Sequence, residues 1–497
     1  MLKLEEVVGE LRLRTWSVDC PEMRLGRPRT PGLTEYVGPG YLRQAADGSI
    51  GYKLYPTPPP AFDPPSIFPD MVAGRILDED YFHQLDAHDM EGRVWRVEQT
   101  IPSPHTSYLG ERQFTVVSGE VNFLSTTRSQ VQSVSSLKMM FFTEERVPGN
   151  ASTEITTNTP DGSYIRSSRL DTAVFSTDLG NFSIFNRPGM LVVTVVSPEK
   201  FPAHFEMRIV ETLSFLLAKP LAWDVLELVE DGLEIVHLRG AQRVDDAKLQ
   251  PPISTGTIDM SGGDVWRLFD KYLTMVCAHT MPGFHPCSRH VFSVLEASAG
   301  TINSRGLALG VAVEGIAKDL FPDVAALPPK LKSVVGRLQT YFRDWPEFND
   351  EETKKAIFAR VEPMLNQILN VSAKSRLYAL AQVEAVYPEQ IKAWNKLRNA
   401  TAHGVAQERD DLQQFCDLCD SVTVLMYTMI FYRIGYVGSY QYYSTHGWPK
   451  KYYRGRLPTE EETAVSAYYL WRKSGAQHGH DIENWFAAKV KIETRVY

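Results

Sequence analysis

The chain has 497 residues, of which 43% are hydrophobic and 23% charged, a composition typical of soluble globular proteins. This length exceeds what one hydrophobic core organises, so the sequence predicts about two to four domains. The formal net charge of −8 argues against binding of polyanions by overall charge. Any nucleic-acid site must therefore be a local basic patch. Five cysteines are too few for a disulfide framework, which favours a reducing, cytoplasmic environment.

Neither a signal peptide nor a membrane span is expected. Residues 1–14 mix charged and apolar side chains, and no window reaches the roughly 18 apolar residues that a membrane span needs. The longest apolar stretch, Val422–Ile434, includes Thr423, Thr428 and Arg433. We interpret this stretch as a buried helix and expect no membrane partner.

The first half of the chain has the pattern of a β-rich region. Residues 1–49 are rich in Pro, Gly and Arg with little periodicity, and are predicted to be an irregular lead-in with one short helix or strand. Residues 50–248 are predicted to form an antiparallel sandwich or barrel-like domain. One helix, over residues 202–219, interrupts it. The clearest strand patterns lie at 50–55, 114–117, 121–124, 136–143 and 190–197.

The second half changes to helical periodicity. Residues 249–264, with prolines, glycines and small polar residues, are predicted to be a linker. A helical bundle is predicted over residues 264–438, and a small helical unit over 459–497, where Thr459 and Glu462 form a capping-box pattern. The fold class is thus an α+β multidomain protein. The predicted bundle helices are 265–277, 306–321, 331–345, 352–369, 374–386, 388–402 and 410–433.

The segment from Pro388 to His403 carries the strongest chemical signal. Proline suits the first turn of a helix, and Gly404 suits its end. Asn399 and His403 are four residues apart, roughly 40° from each other on one helix face, and Arg398 adjoins Asn399. The predicted helix end therefore presents a guanidinium, an amide and an imidazole to one small volume.

These three groups suit metal-independent cleavage of RNA. Attack of a ribose 2′-hydroxyl on the adjacent phosphate needs proton transfer near neutral pH, which histidine provides. The charged phosphorane needs planar hydrogen-bond donors, which a guanidinium provides. No cofactor is expected, and no metal is assigned. The alternative interpretation is a capped surface helix whose Arg398 and His403 are simply solvated.

The motif Arg398-Asn399-Ala400-Thr401-Ala402-His403 resembles the R-x(4–6)-H motif of HEPN domains. The resemblance implies an all-α HEPN bundle that pairs, so that two copies form one composite ribonuclease site. It also implies that His403 is the acid or base, Arg398 the phosphate stabiliser and Asn399 a polar support. The segment 307–321 resembles the upstream HEPN helix, in which Glu314 would lie near the centre. The alternatives are a surface role for Glu314 and a non-catalytic HEPN module for RNA binding or dimerisation.

Residues 203–215 and 219–223 are similar to the N-terminal domain of ApeA-type bacterial abortive-infection proteins, which join a β-rich domain to a HEPN domain. This resemblance implies an endoribonuclease of anti-phage defence that cuts host RNA, with tRNA as one candidate, after an unknown phage-derived trigger. The β-rich domain would sense the trigger or restrain the enzyme. Residues 467–485 resemble a short bacterial domain of unknown function, which departs from the ApeA arrangement as an appended tail.

Further candidate substrate contacts are basic. Lys396 lies on the same predicted helix, and Lys450, Lys451 and Arg454 belong to a stretch, 421–458, without Asp or Glu. Its aromatic residues could stack on bases, or they could pack back on the bundle. The interleaved aromatic residues are Tyr440, Tyr442, Tyr443, Trp448, Tyr452 and Tyr453.

Two groups of cysteines and histidines invite a metal interpretation. One set crowds a predicted loop, although its spacing matches no closed zinc site; its members are Cys277, His279, His285, Cys287 and His290. Cys416 and Cys419 form a Cys-x-x-Cys inside a helical pattern, for which buried thiols are the favoured interpretation.

Overall fold

The structure is a computed structural model, and it describes residues 4–27, 36–57, 82–109, 112–129, 134–159, 162–240, 247–254, 263–324, 329–345, 350–402, 412–455 and 460–473, with 479, 482, 483, 485, 486 and 488. The helices are α1 (Leu4–Leu13), α2 (Phe205–Leu217), α3 (Gly263–Cys277), α4 (Pro286–Ala297), α5 (Ile302–Leu320), α6 (Pro329–Arg343), α7 (Glu351–Ile368), α8 (Ala373–Gln382), α9 (Pro388–Ala402), α10 (Leu412–Ile434) and α11 (Glu460–Lys473). The strands are β1 (Ser17–Gly26), β2 (Tyr36–Gln44), β3 (Ile50–Leu54), β4 (His83–His88), β5 (Val94–Thr100), β6 (Ser103–Leu109), β7 (Arg112–Val121), β8 (Phe123–Ser129), β9 (Ser135–Phe141), β10 (Ala151–Thr159), β11 (Gly162–Thr177), β12 (Gly180–Arg187), β13 (Met190–Ser197), β14 (Val225–Glu230), β15 (Leu233–Arg239), β16 (Gly438–Gln441) and β17 (Lys450–Tyr453).

Fifteen strands form one antiparallel sheet in the order β10-β11-β12-β13-β9-β14-β15-β8-β5-β4-β1-β2-β3-β7-β6. Many neighbours in this order are consecutive hairpins, which short turns such as Asp178-Leu179 allow. The α+β class is confirmed, because this antiparallel sheet precedes the helices in the chain.

The sheet bends around its first hydrophobic core. Side chains from strands far apart in the sheet order share this core, among them Leu54 on β3, Val117 on β7 and Val192 on β13. Neighbouring strands lie about 4.8 Å apart, so a flat sheet would hold β13 and β7 far beyond contact. Trp16 and Trp95 meet edge to face in this core, with ring centroids 5.8 Å apart.

The N-terminal segment is more regular than the sequence predicted. Instead of an irregular lead-in, it contributes α1, β1 and β2, and β1 pairs with both β2 and β4. Val7 and Leu11 of α1 are buried in the first core. Besides β2, the second half of β1 pairs with β4, more than fifty residues along the chain, and local periodicity carries no sign of such a partner.

A second core joins the sheet to the helices. Strand β13 is buried on both faces: Val192 enters the first core, while Val193 and Val195 enter the second with α2. Aromatic stacking links the two predicted domains directly. The ring centroids of Phe175 and Trp266 are 4.6 Å apart, and those of Phe215 and Tyr272 are 4.2 Å apart. The predicted boundary near residues 249–264 therefore does not separate two independent cores.

Helix α5 is central in the bundle, packed against α4, α9 and α10. By length and composition, α10 is apolar enough to cross a membrane, but 67% of its apolar window is buried inside the protein, as in the core helix of a folded domain. Helix α4 lies where the sequence analysis placed a loop. His285 caps it by accepting a hydrogen bond from the Cys287 backbone N–H, and Pro286 occupies its first turn.

Candidate active site

The predicted catalytic helix α9 packs closely on α5. Ile391, Trp394 and Leu397 are buried and form the predicted apolar stripe. The indole N–H of Trp394 donates a hydrogen bond of 3.0 Å to the carbonyl of Gly310 on α5. A Cβ built at Gly310 would lie 3.8 Å from the Arg398 Cα, an ordinary van der Waals contact, so Arg398 directly faces this part of α5.

Arg398 and Glu314, predicted from separate parts of the sequence, are in contact. The Arg398 Nη2 lies 3.0 Å from Glu314 Oε2, and the Lys318 Nζ lies 3.2 Å from Glu314 Oε1. The Arg398 side chain remains 54% exposed, and its Cζ lies 5.8 Å from the centre of the Trp394 ring. One carboxylate thus holds two cations at the surface, and one guanidinium face rests near an indole.

The two other predicted members of the motif are less well defined. Asn399 is exposed on α9 beside Arg398. Ala402 is the last residue of α9, and His403 and Gly404 lie outside the described residues. The structure therefore brings Arg398 and Glu314 into contact, with Asn399 exposed next to Arg398 in the chain, while the predicted position of the imidazole and the predicted glycine stop remain predictions.

Lys396 is exposed but lies on a different face of α9 from Arg398. Two residues correspond to roughly 200° of rotation around a helix, whereas three residues bring Lys396 and Asn399 to nearly the same face. Lys396 is therefore placed to contact a ligand beside Asn399 rather than beside the Arg398 guanidinium.

The aromatic residues of the basic stretch mostly pack inward. They belong to the hairpin of β16 and β17. The base-stacking interpretation is wrong for four of them, which are at most 6% exposed: Tyr440, Tyr442, Tyr443 and Tyr453. Several of their hydroxyl groups reach backbone or side-chain acceptors inside the fold; Tyr453, for example, donates to the Ala385 carbonyl. Burial of these four large rings in the core stabilises the fold. Trp448 and Tyr452, by contrast, are exposed.

The basic residues of this hairpin lie near the beginning of α9. The Lys451 Nζ stands 3.2 Å from the centre of the Tyr442 ring, and partial burial lowers the pKa of Lys451. Tyr442 also contacts Glu389, in the first turn of α9. Arg398 follows nine residues later, about 14 Å along the axis. The structure therefore places Lys451 and its neighbours, the exposed Lys450 and Arg454, away from the Arg398 guanidinium.

The predicted Cys and His group is divided among structural roles. Cys287 is fully buried, which raises its pKa to about 12. His285 caps α4, and His290 Nε2 lies 2.8 Å from Asp319 on α5. Among the residues that the structure describes, no three His, Cys, Asp or Glu side chains are arranged to hold a metal ion. In the Cys-x-x-Cys of α10, Cys419 is buried, as expected for a core thiol, and Cys416 is half-buried.

Sequence reasoning missed Lys318. It lies four residues after Glu314, the spacing at which side chains on one helix face meet, so its pairing with Glu314 follows a pattern that the sequence contains. It also missed the buried pair Arg208 and Glu211 on α2, which has the equally recognisable spacing of three residues.

Comparison with known proteins gives one match. Residues 458–493 match a family described as a protein of unknown function, DUF2934. This agrees with the predicted short domain of unknown function at the C-terminal end. No curated protein and no solved structure matches the chain significantly. The resemblance to HEPN and ApeA proteins therefore rests on the residues themselves.

Proposed function

We propose that this chain is a metal-independent endoribonuclease with a HEPN-type site formed by Arg398, Asn399 and His403. The observation that carries the proposal is the exposed Arg398 guanidinium, held by Glu314 on the surface formed by α5 and α9. A fixed, exposed guanidinium can stabilise the negative charge of a phosphorane without reorganising during the reaction. Glu314 is in this proposal a positioning residue, because it acts through Arg398.

The proposed reaction transfers two protons. A base removes the proton of the ribose 2′-hydroxyl, whose oxygen forms a bond to phosphorus. The bond from phosphorus to the 5′-oxygen then breaks, and an acid protonates that oxygen. The products are a 2′,3′-cyclic phosphate and a 5′-hydroxyl. One His403 can take only one of these roles at a time, so a pair of chains with two imidazoles suits the reaction, and we propose a homodimer.

The biological setting is proposed from the resemblance alone. We place the protein in the bacterial cytoplasm as a toxin of abortive infection, silent until an unknown phage-derived trigger appears. The extensive sheet would sense the trigger or restrain the nuclease, and tRNA is one candidate for the cut RNA. The core shared by α2, β13 and α3 supports this arrangement, because a change in the sheet region would act on the helices directly.

The direct test measures RNA cleavage in cells that overexpress the protein, which is expected to overcome its silent state, and cleavage of total RNA and tRNA in EDTA by the protein purified from those cells. Arg398→Ala and His403→Ala are expected to reduce the rate by at least about 100-fold. Lys392→Ala is the matched control, because Lys392 is an exposed cation on the same helix, and it is expected to cleave like the wild type. Mapping of the 3′ ends should show cyclic phosphates. Cleavage at the wild-type rate by both variants would refute the assignment.

A non-catalytic RNA-binding or dimerisation module is the second candidate. Two observations favour it: the Arg398 guanidinium is already paired with a carboxylate, and the net charge of −8, which disfavours polyanion binding, suits the dimerisation role. This candidate predicts that the wild type binds RNA in a filter assay or forms dimers in light scattering, without cutting RNA under any condition that activates the protein in cells.

A further inference from the structure

A cavity of about 620 Å³ lies between the sheet and the helices, away from Arg398. Its volume lies within the roughly 300–1,000 Å³ range of small-molecule sites. One side is formed by the sheet region, with Phe123 on β8, Trp223 and Arg239. The other side is formed by α2 and α4, with Phe292 and Glu296. Both halves of the protein thus contribute to one concave surface.

The sheet side presents a cation beside aromatic rings. The Arg239 Cζ lies 4.2 Å from the centre of the Trp223 ring and 4.7 Å from that of Phe123. Its Nε is buried and has no hydrogen-bond partner among the residues that the structure describes. A buried donor of this kind costs free energy unless an acceptor reaches it. Since Nε is closed off from solvent, an acceptor on a bound molecule would be met by the terminal amino groups of the guanidinium, on the side of Arg239 that lines the cavity.

The helical side presents aromatic rings and carboxylates. Phe284 and Phe292 stack with ring centroids 4.4 Å apart. Glu206 on α2 and the exposed Glu296 on α4 also line the cavity. One guanidinium thus faces two carboxylates, which disfavours multiply charged anions such as nucleoside triphosphates. The lining favours an uncharged planar ring with acceptors on one edge and donors on another.

We propose that this cavity binds the guanine ring of an uncharged nucleoside. Guanine carries two acceptors, O6 and N7, on one edge, and these match the guanidinium of Arg239. Its opposite edge carries the N1–H and the 2-amino group, which match a carboxylate of Glu206 or Glu296. Because Arg239 already lies over Trp223 and Phe123, the faces of guanine would pack against Phe284 or Phe292. This site is distinct from the Arg398 site and does not depend on the nuclease proposal.

The test is isothermal titration calorimetry of the full chain with guanosine, and it requires no RNA cleavage. The double variant Glu206→Gln/Glu296→Gln is expected to weaken binding by roughly 10- to 100-fold. Ala299→Trp places a large side chain at the exposed rim of the cavity and is expected to abolish binding. Glu352→Gln/Glu362→Gln on α7 is the matched control and should bind as the wild type.

Circular dichroism and the thermal unfolding midpoint establish that each variant is folded. Absence of heat with guanosine at millimolar concentration overturns the proposal, as does binding that neither cavity variant weakens. Adenosine serves as the discriminating ligand, because its amino group replaces the O6 acceptor; equal affinity for the two nucleosides would overturn the assignment of guanine.

Discussion

The carboxylate of Glu314 bridges Arg398 on the neighbouring helix and Lys318 on its own. The distances are 3.0 Å to Arg398 Nη2 and 3.2 Å to Lys318 Nζ. Such surface ion pairs add at most about 1 kcal/mol each to stability, so their main effect is on where the guanidinium points. Glu314, Lys318 and Arg398 together carry one net positive charge, so this surface attracts phosphate locally although the protein as a whole is acidic.

Replacement of Glu314 should separate RNA binding from RNA cleavage. Glu314→Gln removes a negative charge next to Arg398, so RNA affinity is expected to rise, with a log–log salt slope steeper by about 0.7. The guanidinium loses the partner that orients it, so the single-turnover cleavage rate is expected to fall by about tenfold. Filter binding at several salt concentrations and cleavage at saturating protein measure the two effects.

Glu352→Gln, an exposed change on α7, is the control for the loss of one negative charge. It should leave the affinity and the cleavage rate unchanged. If Glu314→Gln instead cleaves as fast as the wild type, the carboxylate does not position Arg398 for the reaction.

Two glycines on α5 should respond oppositely to the same substitution. A Cβ at Gly306 would lie 2.6 Å from the Phe415 ring, which is buried and cannot move freely, whereas a Cβ at Gly310 would make an ordinary contact at 3.8 Å. We expect Gly306→Ala to destabilise the bundle by about 1–3 kcal/mol. Gly310→Ala should be neutral or stabilising by up to about 1 kcal/mol, because alanine favours the helix. Chemical denaturation of both variants measures the contrast, and equal destabilisation would contradict this packing of α5 against α10 and α9.

Much of the fold was predictable because its elements are local patterns. Helix α9 begins at Pro388 as predicted and is helical through Ala402, the last described residue of this segment, since its proline start and apolar stripe lie within one segment. Strand β13 likewise covers Met190–Ser197 as predicted. The structured N-terminal segment was missed because β1 depends on pairing with β4. Helix α4 was missed because its prolines and histidines resemble a turn, while their capping role needs the folded backbone.

The candidate site was predictable only in part. The Arg398 motif is local, but its contact with Glu314 joins two helices that are far apart in the chain and depends on the packing of α5 against α9. Sequence spacing also could not decide which aromatic residues of the hairpin are available for base stacking and which fill the core. Tyr440 and Tyr452 lie in the same stretch, yet only Tyr440 is buried. Charge and motif can be read from the sequence, whereas burial results from the whole fold.

The buried pair on α2 should show strong coupling between its two members. Arg208 and Glu211 are both fully buried and paired, and the Arg208 Nη2 donates to the carbonyls of Met281 and Gly283 at 3.0 Å each. Arg208→Met leaves the Glu211 carboxylate buried without its partner, and a loss of about 3–5 kcal/mol is expected. The double variant Arg208→Met/Glu211→Leu should lose less than the sum of the single variants. A double-mutant cycle by urea unfolding measures the coupling, and additive losses would contradict it.

Asp224 should make stability depend on pH in the mildly acidic range. Burial raises the pKa of its carboxyl to about 6, against the lowering effects of the Phe142 N–H bond and of Arg239. The folded state therefore binds a proton that the unfolded state has released between about pH 4 and pH 6. It follows that the free energy of unfolding falls as pH rises through this window, by about 2–3 kcal/mol from this group.

Asp224→Asn should remove this pH dependence, because an amide stays neutral. In the wild type the Phe142 N–H donates to Asp224 Oδ2 at 2.6 Å, and the amide oxygen of the variant can still accept this hydrogen bond. At pH 7 the variant should be the more stable protein, by about 2 kcal/mol. Thermal unfolding at pH 5 and pH 7 measures the difference, with the exposed Asp323→Asn as the control. A variant that is less stable than the wild type at pH 7 would contradict this prediction. It would mean that the Phe142 N–H and Arg239 stabilise the ionised carboxylate more than burial destabilises it, so that the pKa of Asp224 lies below about 6.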